Sequence, residues 1–167
     1  MILSFQRTCL FFLLILSCWL KPDAYGGMTN LARWTGQLVY VPLYSHIYAD
    51  KRYGDKPFLL TATLSIRNTD PENAITLHQV DFYDSEGNLI KHYLKAPLSI
   101  QPLGSMQYIV HESENQGGSG AKFLVSWKTK KDATQPIIES ISIGTKMQQG
   151  ISFISRGIVI KGESIEE

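Results

Sequence analysis

Apolar and polar residues alternate along several short segments of the chain, each bounded by turn residues. The clearest segment, LTATLSIRN at 60–68, places its apolar residues at every second position: Leu60, Ala62, Leu64 and Ile66. Since successive side chains of a strand point to opposite faces, this pattern predicts a strand with one buried face and one solvated face. The residues that follow, TDPEN, end the strand because proline and small polar residues favour a turn.

Further segments predict the remaining strands. ITLHQVDFYDSEGNLIKHYL at 75–94 is typical of a hairpin, in which Asp84 opens the turn and Gly87 supplies a left-handed residue. The segments SMQYIVHE, KFLVSWK and PIIESISIG, at 105–112, 122–128 and 136–144, also predict strands. Apolar residues share one side of the second and third of these segments: Phe123, Val125 and Trp127, then Ile137, Ile141 and Ile143.

This order of elements predicts an all-β fold. The chain after residue 30 shows no helical repeat of apolar residues over the length of a helix. We expect an antiparallel two-sheet sandwich of immunoglobulin-like architecture, with a small closed β-barrel as the alternative. The sandwich is expected to be one domain at 27–160, followed by a disordered acidic tail, KGESIEE, at 161–167.

Residues 1–26 have the composition of an export leader. Arg7 precedes the apolar run TCLFFLLILSCWL, and Lys21 ends this run well short of the roughly 20 residues that span a membrane. Cleavage is expected either before Cys18, where ILSC resembles a lipobox with a lipidated cysteine, or after AYG at 24–26, an ordinary signal-peptidase pattern. The sequence therefore predicts an exported protein, either periplasmic or held at a membrane by its leader or a lipid.

Cysteine positions and charge exclude several kinds of chemistry. Cys9 and Cys18 both lie in the leader, so the mature domain has neither a disulfide nor a catalytic thiol. Without Arg7, Lys21 and Asp23, the chain keeps 14 basic and 14 acidic residues. A net charge of zero argues against a nucleic-acid partner, which would favour a basic surplus on one face.

The glycine-rich segment GGSGAK, which ends in Lys122, resembles two catalytic motifs and fails both. A phosphate-binding loop places its lysine before Ser or Thr and a helix, whereas Lys122 precedes Phe123 and a predicted strand. A nucleophile elbow needs glycine two residues after its serine, and Ala121 stands there instead. We predict a tight loop in which glycines supply positive φ, with these residues: Gly117, Gly118, Ser119 and Gly120.

Neither a metal site nor a cofactor is predicted. His78 and Asp81 are three residues apart, which on a regular strand places them on opposite faces, so they would need a bulge to share an ion. Glu112 and Glu114 lack the ligand spacing of a calcium site and are typical of a solvated acidic loop.

The segment YVPLYSHIY at 40–48 is a candidate binding face. On a regular strand its aromatic residues would share one side: Tyr40, Tyr44, His46 and Tyr48. Pro42 has no amide donor, so we expect this strand at a sheet edge. An aromatic edge would stack a sugar ring or accept a strand from a partner protein. The alternative is that the tyrosines pack across the sheet as structural residues.

Several segments, in order, resemble a bacterial family known as domain of unknown function 3124. They are YVPLYS, LSIRNTD, VDFYDSEGNLIKHYL, GGSGAKFLVSW, PIIESISIG and QGISFISRG, and they run from Tyr40 to Gly157. The positions similar to the family signature are Asn68, Asp70, Asp81, Tyr83, Asp84, Gly117, Gly118, Ser119, Gly120 and Trp127. Lys122 departs from the small polar residue expected there. The resemblance implies an exported, often lipoprotein-like protein and implies no activity.

Three hypotheses about function follow. The first is a non-enzymatic cell-envelope module that binds an envelope protein or a glycan through the 40–48 segment, the 112–120 loop, or a polar cluster with Asp81 and Tyr83. The second is a hydrolase in which Asp81 and a histidine, among His78, His92 and His111, converge in a pocket. The third is a structural envelope protein, which predicts no pocket and a covered sheet edge.

Overall fold

The computed structural model describes residues 32–48, 56–146 and 148–163, which belong to one compact unit, Leu31–Glu167. The strands are β1 (Arg33–Pro42), β2 (His46–Ile47), β3 (Phe58–Leu59), β4 (Thr61–Arg67), β5 (Ile75–Tyr83), β6 (Leu89–His92), β7 (Leu98–Ile100), β8 (Ser105–Val110), β9 (Lys122–Thr134), β10 (Ile137–Lys146), β11 (Gln149–Arg156) and β12 (Ile158–Glu163). A 3-10 turn covers Asn115–Gly117. Within these ranges, no helix is long and apolar enough to cross a membrane. The predicted leader at 1–26, with Cys18, lies outside the described residues.

The strands form two antiparallel sheets and a short ribbon. The first sheet has six strands in the order β12-β1-β9-β5-β6, and β7 also pairs with β5. The second sheet has four strands in the order β11-β10-β4-β8, while β2 and β3 form the ribbon. Buried residues of both sheets make one core. The predicted two-sheet sandwich is therefore confirmed, and the alternative of a closed barrel is wrong because neither sheet closes on itself.

The alternating segments supply this core. All four apolar residues predicted on one face of the 60–68 segment are buried, and Phe123, Val125 and Trp127 of β9 are 0% exposed. Burial of each large apolar side chain contributes roughly 2 to 3 kcal/mol to folding. In β10 the shared side of Ile137 and Ile143 is the outer one, since these residues are 45% and 50% exposed.

Two expectations about the ends of the sheets are wrong. β1 is not an edge strand, because it lies between β12 and β9. Pro42 is its last residue and lies two positions beyond the final pair with β12, Tyr40 with Ile158, so its missing amide interrupts no pairing with that strand. The tail predicted to be disordered from residue 161 is also wrong for residues 161–163, which extend β12 and pair with residues 36–38 of β1. Residues 164–167 lie outside the described part of the chain.

Candidate functional site

A bulge in β5 decides which way Asp81 points. The pairing of β5 with β9 shifts between Leu77 and Gln79, so the core receives Leu77 and then Val80, three residues later. An extra residue in one strand reverses the alternation of its side chains. The expectation that His78 and Asp81 lie on opposite faces is therefore wrong, since both lie outside the core.

Asp81 faces outwards from the first sheet and is nevertheless only 7% exposed. Its Oδ1 lies 2.7 Å from Nδ1 of His92, and its Oδ2 accepts a hydrogen bond of 2.8 Å from Nε2 of Gln79. The His92 side chain is 64% exposed. We call Asp81, Gln79 and His92 the Asp81 cluster. The Asp81 carboxylate is thus bonded by two side chains, of which His92 is mostly exposed to solvent.

The β5–β6 hairpin brings His92 to Asp81. The turn is the predicted one: Gly87 has a φ of 92°, and Oδ1 of Asp84 accepts a 2.7 Å hydrogen bond from the Asn88 backbone N–H. The side-chain hydrogen bond from Asn88 is the largest cause that lowers the pKa of Asp84. A bulge in β6 then shifts the register, so that Asp81 pairs directly with His92.

Strand pairing extends the outer face on both sides of Asp81. Tyr40 pairs with Leu124, and Leu124 pairs with Asp81, so the half-buried Tyr40 lies two strands from Asp81, about 10 Å between their backbones. Tyr83 follows Asp81 on the same side of β5 and pairs with Lys122. The outer face of the first sheet therefore includes Tyr40, Asp81 and Tyr83.

A shallow depression of about 170 Å³ lies on this face beside Gln79. Its lining consists of Gln37, Leu38, Gln79, Ser126, Trp127, Lys128, Lys161 and Glu163. Nζ of Lys128 and Oε2 of Glu163 form an ion pair of 3.1 Å at its rim. The depression is smaller than a pocket that encloses a whole small molecule, and it suits one polar group of a larger ligand.

The aromatic residues of the 40–48 segment make different contacts. Strand β1 ends at Pro42, although buried and half-buried residues continue to alternate as far as Ser45. Tyr44 packs edge-on against Phe153 of the second sheet at 5.4 Å, and His46 packs against Tyr48 at 5.3 Å. The predicted edge position of this segment is wrong, because β1 is an interior strand. Tyr40 is the residue of this set that strand pairing places on the face that carries Asp81.

The glycine-rich loop is clamped to the hairpin turn. Ser85 Oγ donates to the Gly117 carbonyl oxygen and accepts from the Gly120 N–H, both at 3.0 Å, and Lys122 Nζ donates to the Asp84 carbonyl oxygen. Gly118 has a φ of 75°, which confirms the predicted positive φ at that residue, whereas the expectation is wrong for Gly117 and Gly120, which do not have a positive φ. Ser119 is exposed and leads into strand β9. The loop is thus a structural support for the hairpin that holds His92.

A second buried carboxylate belongs to the turn at 68–70. Asp70 Oδ1 accepts hydrogen bonds from the backbone N–H groups of Glu72 and Asn73, at 2.9 and 2.7 Å, and Oδ2 accepts one from Thr134 at 2.9 Å. Burial alone would raise the pKa of Asp70, but these backbone hydrogen bonds and the Arg33 charge outweigh it and lower the pKa to about 2. These side-chain-to-backbone bonds fix the turn that follows β4.

The region that carries these features matches a known family. The family described as "Protein of unknown function (DUF3124)" matches residues 36–160. The chain belongs to this family. No curated protein matches the DUF3124 chain. The crystal structure of Thermotoga maritima 1070 aligns with 76% of this chain and 97% of that chain, at 12% identity and a TM-score of 0.42, a likeness that carries no functional information.

The Asp81 cluster of this DUF3124 chain provides hydrogen-bonding groups and an incomplete catalytic set. A histidine that is hydrogen-bonded to a carboxylate supplies two of the three residues of a catalytic triad. Among the described residues, no hydroxyl group forms a hydrogen bond with the His92 ring. Among residues 32–48, 56–146 and 148–163, no three His, Cys, Asp or Glu residues are placed to hold a metal ion.

Sequence reasoning missed Gln79 and the rim of the depression. The available signal was the spacing of the apolar residues in β5, which are Ile75, Leu77, Val80 and Phe82. A spacing of three residues between apolar positions that otherwise recur every two residues indicates a bulge. The polar residues after the bulge then point to the opposite face of the strand.

Proposed function

We propose that this DUF3124 chain is an exported, non-enzymatic module of the bacterial cell envelope that binds a glycan through the outer face of its first sheet. The observation that carries the proposal is Asp81. Its carboxylate faces outwards, is 7% exposed, and is bonded by side chains that a ligand can displace. Burial of a charge is costly unless its hydrogen bonds are satisfied, and a ligand that replaces these two side chains would have to supply hydrogen-bond donors to the carboxylate.

The chemistry of the surrounding face favours a polyhydroxylated ligand. Asp81 accepts hydrogen bonds, Gln79 both donates and accepts, and Lys161 donates at the rim of the depression. The Tyr40 ring, two strands away, offers an aromatic surface for the apolar face of a sugar ring. An open, shallow face suits a segment of an extended polymer, and the predicted export leader would bring the domain to the compartment that contains such polymers.

One observation favours the hydrolase as a second candidate. The 2.7 Å contact between Asp81 and His92 would orient the imidazole, whose Nε2 could then accept a proton from an attacking water. In that case the same face would cleave the glycan that it binds.

The test is cosedimentation of the purified protein with insoluble envelope polysaccharide, peptidoglycan included. Asp81→Asn should weaken binding by about tenfold, because a hydrogen bond to a charged group is worth roughly 1.5 to 3 kcal/mol. Glu112→Gln, which removes an exposed charge from the other predicted surface, is the matched control and should bind like the wild type. Unchanged binding by Asp81→Asn would refute the proposal. Release of soluble sugar that is lost in His92→Gln would establish the hydrolase instead.

A further inference from the structure

The second sheet ends in a strand that lacks the usual protections of an exposed edge. β11, of eight residues, pairs with β10 on one side and is the last strand in the order of its sheet. Edge strands are normally kept from pairing with other chains by bulges, prolines, charged side chains or short length. β11 pairs with β10 without a register shift, and its one charged residue, Arg156, is its last. Among the strands in the described part of the chain, none pairs with the outward side of β11.

The edges of the first sheet are protected by comparison. β12 carries Lys161 and Glu163, and its pairing with β1 shifts between Leu38 and Val39. At the other end, β6 has four residues and a shift of its own. The contrast singles out the second sheet. Its other edge, β8, is also uncharged but has six residues, and it therefore provides the comparison strand for the test.

We propose that two copies of this chain pair through β11, antiparallel, about a twofold axis at Ile154. In a symmetric antiparallel pair that continues both sheets, opposed residues lie on the same face. Centring the pair on Ile154 places this 60% exposed residue against its own copy and Ser152 against Arg156. Ile154 already pairs with Ile141 of β10, so the dimer has an unbroken row of isoleucines across the junction.

This register also separates the charges. The two Arg156 side chains lie on opposite sides of the axis, about 13 Å apart along the strands, and each faces a serine. The outward backbone groups of each β11 find partners, as in other cases of strand addition. The Asp81 cluster belongs to the first sheet, so the dimer leaves it open, and this inference stands or falls independently of glycan binding.

Cysteine crosslinking of the full chain tests the register. Ile154→Cys faces itself across the axis, within the Cα separation of about 4.4 to 6.8 Å that a disulfide requires, and should give a covalent dimer with added diamide as the oxidant. Ser152→Cys, on the same strand and face, lies about 13 Å from its counterpart and should give none. Ile109→Cys on β8 is the control for the opposite edge. The unsubstituted chain, with cysteines at 9 and 18, gives the background. Equal crosslinking at 152 or 109, or none at 154, overturns the proposal.

Sedimentation equilibrium at micromolar concentration gives a second measurement that needs no crosslink. The wild type should be a dimer, and Ile154→Lys a monomer, because the substitution places a charge opposite its own copy at the axis. Ile143→Lys is the matched control, since Ile143 is 50% exposed on the same face but lies on the interior strand β10. It should remain a dimer. A monomeric wild type, or dissociation by both variants, would exclude pairing through β11.

Discussion

Asp70 and Asp81 are both almost fully removed from solvent, and they are held in different ways. Asp70 is 1% exposed and is fixed mainly by backbone N–H groups, whereas Asp81 is 7% exposed and is fixed by the side chains of Gln79 and His92. Backbone donors cannot move away without unfolding the turn that presents them. Side-chain donors at a surface can rotate and be replaced by a ligand. The partners of a buried carboxylate, more than its burial, thus separate a structural site from a candidate binding site.

The two carboxylates also differ in what they connect. Asp70 joins the turn between β4 and β5 to Arg33 at the start of β1 and to Thr134 at the end of β9, two residues far apart in sequence. Asp81 connects positions within a single hairpin and its own strand. Substitution of Asp70 should therefore lower the stability of the whole domain, whereas substitution of Asp81 should affect one face of it.

The largest expected effect is that of Asp70→Asn on stability. The amide keeps the shape but turns a donor towards the Thr134 N–H and the Arg33 guanidinium, so the free energy of unfolding should fall by about 3 kcal/mol. Urea denaturation measures this change. Asp132→Asn is the control, because Asp132 also contacts Arg33 but its side chain is 45% exposed, and it should cost less than about 1 kcal/mol. Equal losses in the two variants would contradict the structural role of Asp70.

Acid should remove part of the contribution of Asp70 to the free energy of unfolding. Its pKa in the folded chain, about 2, lies below the ordinary value of 3.8, so its stabilisation is complete above the ordinary value and is lost as the pH falls from there towards 2. The loss should be on the order of 1 to 2 kcal/mol. Urea unfolding of the wild type and Asp70→Asn should show a difference at about pH 5 that narrows at about pH 2.5. A difference independent of pH would show that the carboxylate charge does not contribute.

The fold could be predicted from the sequence because strand alternation and turn chemistry are local. The strands around Leu64 and Trp127 follow from a period of two, and the hairpin follows from Asp84 and Gly87. The position of β1 inside the sheet could not be predicted. A proline argues for an edge only while the strand continues past it, and β1 ends at Pro42.

The Asp81 cluster was harder to predict, because two bulges define it. In a hairpin without a bulge, in which Tyr83 pairs with Leu89, Asp81 would pair with Lys91. The extra residue in β6 moves His92 into that place, and the extra residue in β5 turns Asp81 to the outer face. Each bulge shifts a side chain by one position. A prediction that assumes a regular period of two therefore finds the strands but not the pairing of Asp81 with His92.

The same substitution at the second carboxylate should have a small effect on stability. Asp81→Asn keeps an acceptor for one partner, and the exposed His92 can turn to water, so the free energy of unfolding should change by no more than about 1 kcal/mol. Urea denaturation of Asp81→Asn and Asp70→Asn under the same conditions compares the two variants directly. A loss as large as that of Asp70→Asn would mean that both carboxylates are structural, and it would remove the reason to place a ligand at Asp81.

The smallest expected effect is the coupling between Asp81 and His92, and it is also the most informative about the cluster. A double-mutant cycle with Asp81→Asn and His92→Gln should give a coupling energy of about 0.2 to 1 kcal/mol. The reason is that the His92 side chain is 64% exposed, so water can replace its hydrogen bond to the carboxylate at little cost in free energy. The cycle is measured by urea unfolding at neutral pH. A coupling well above this range would mean that the fold holds His92 in place as firmly as it holds the partners of Asp70. A weak coupling leaves the Asp81 carboxylate free to change partners, which is what a binding surface requires of it.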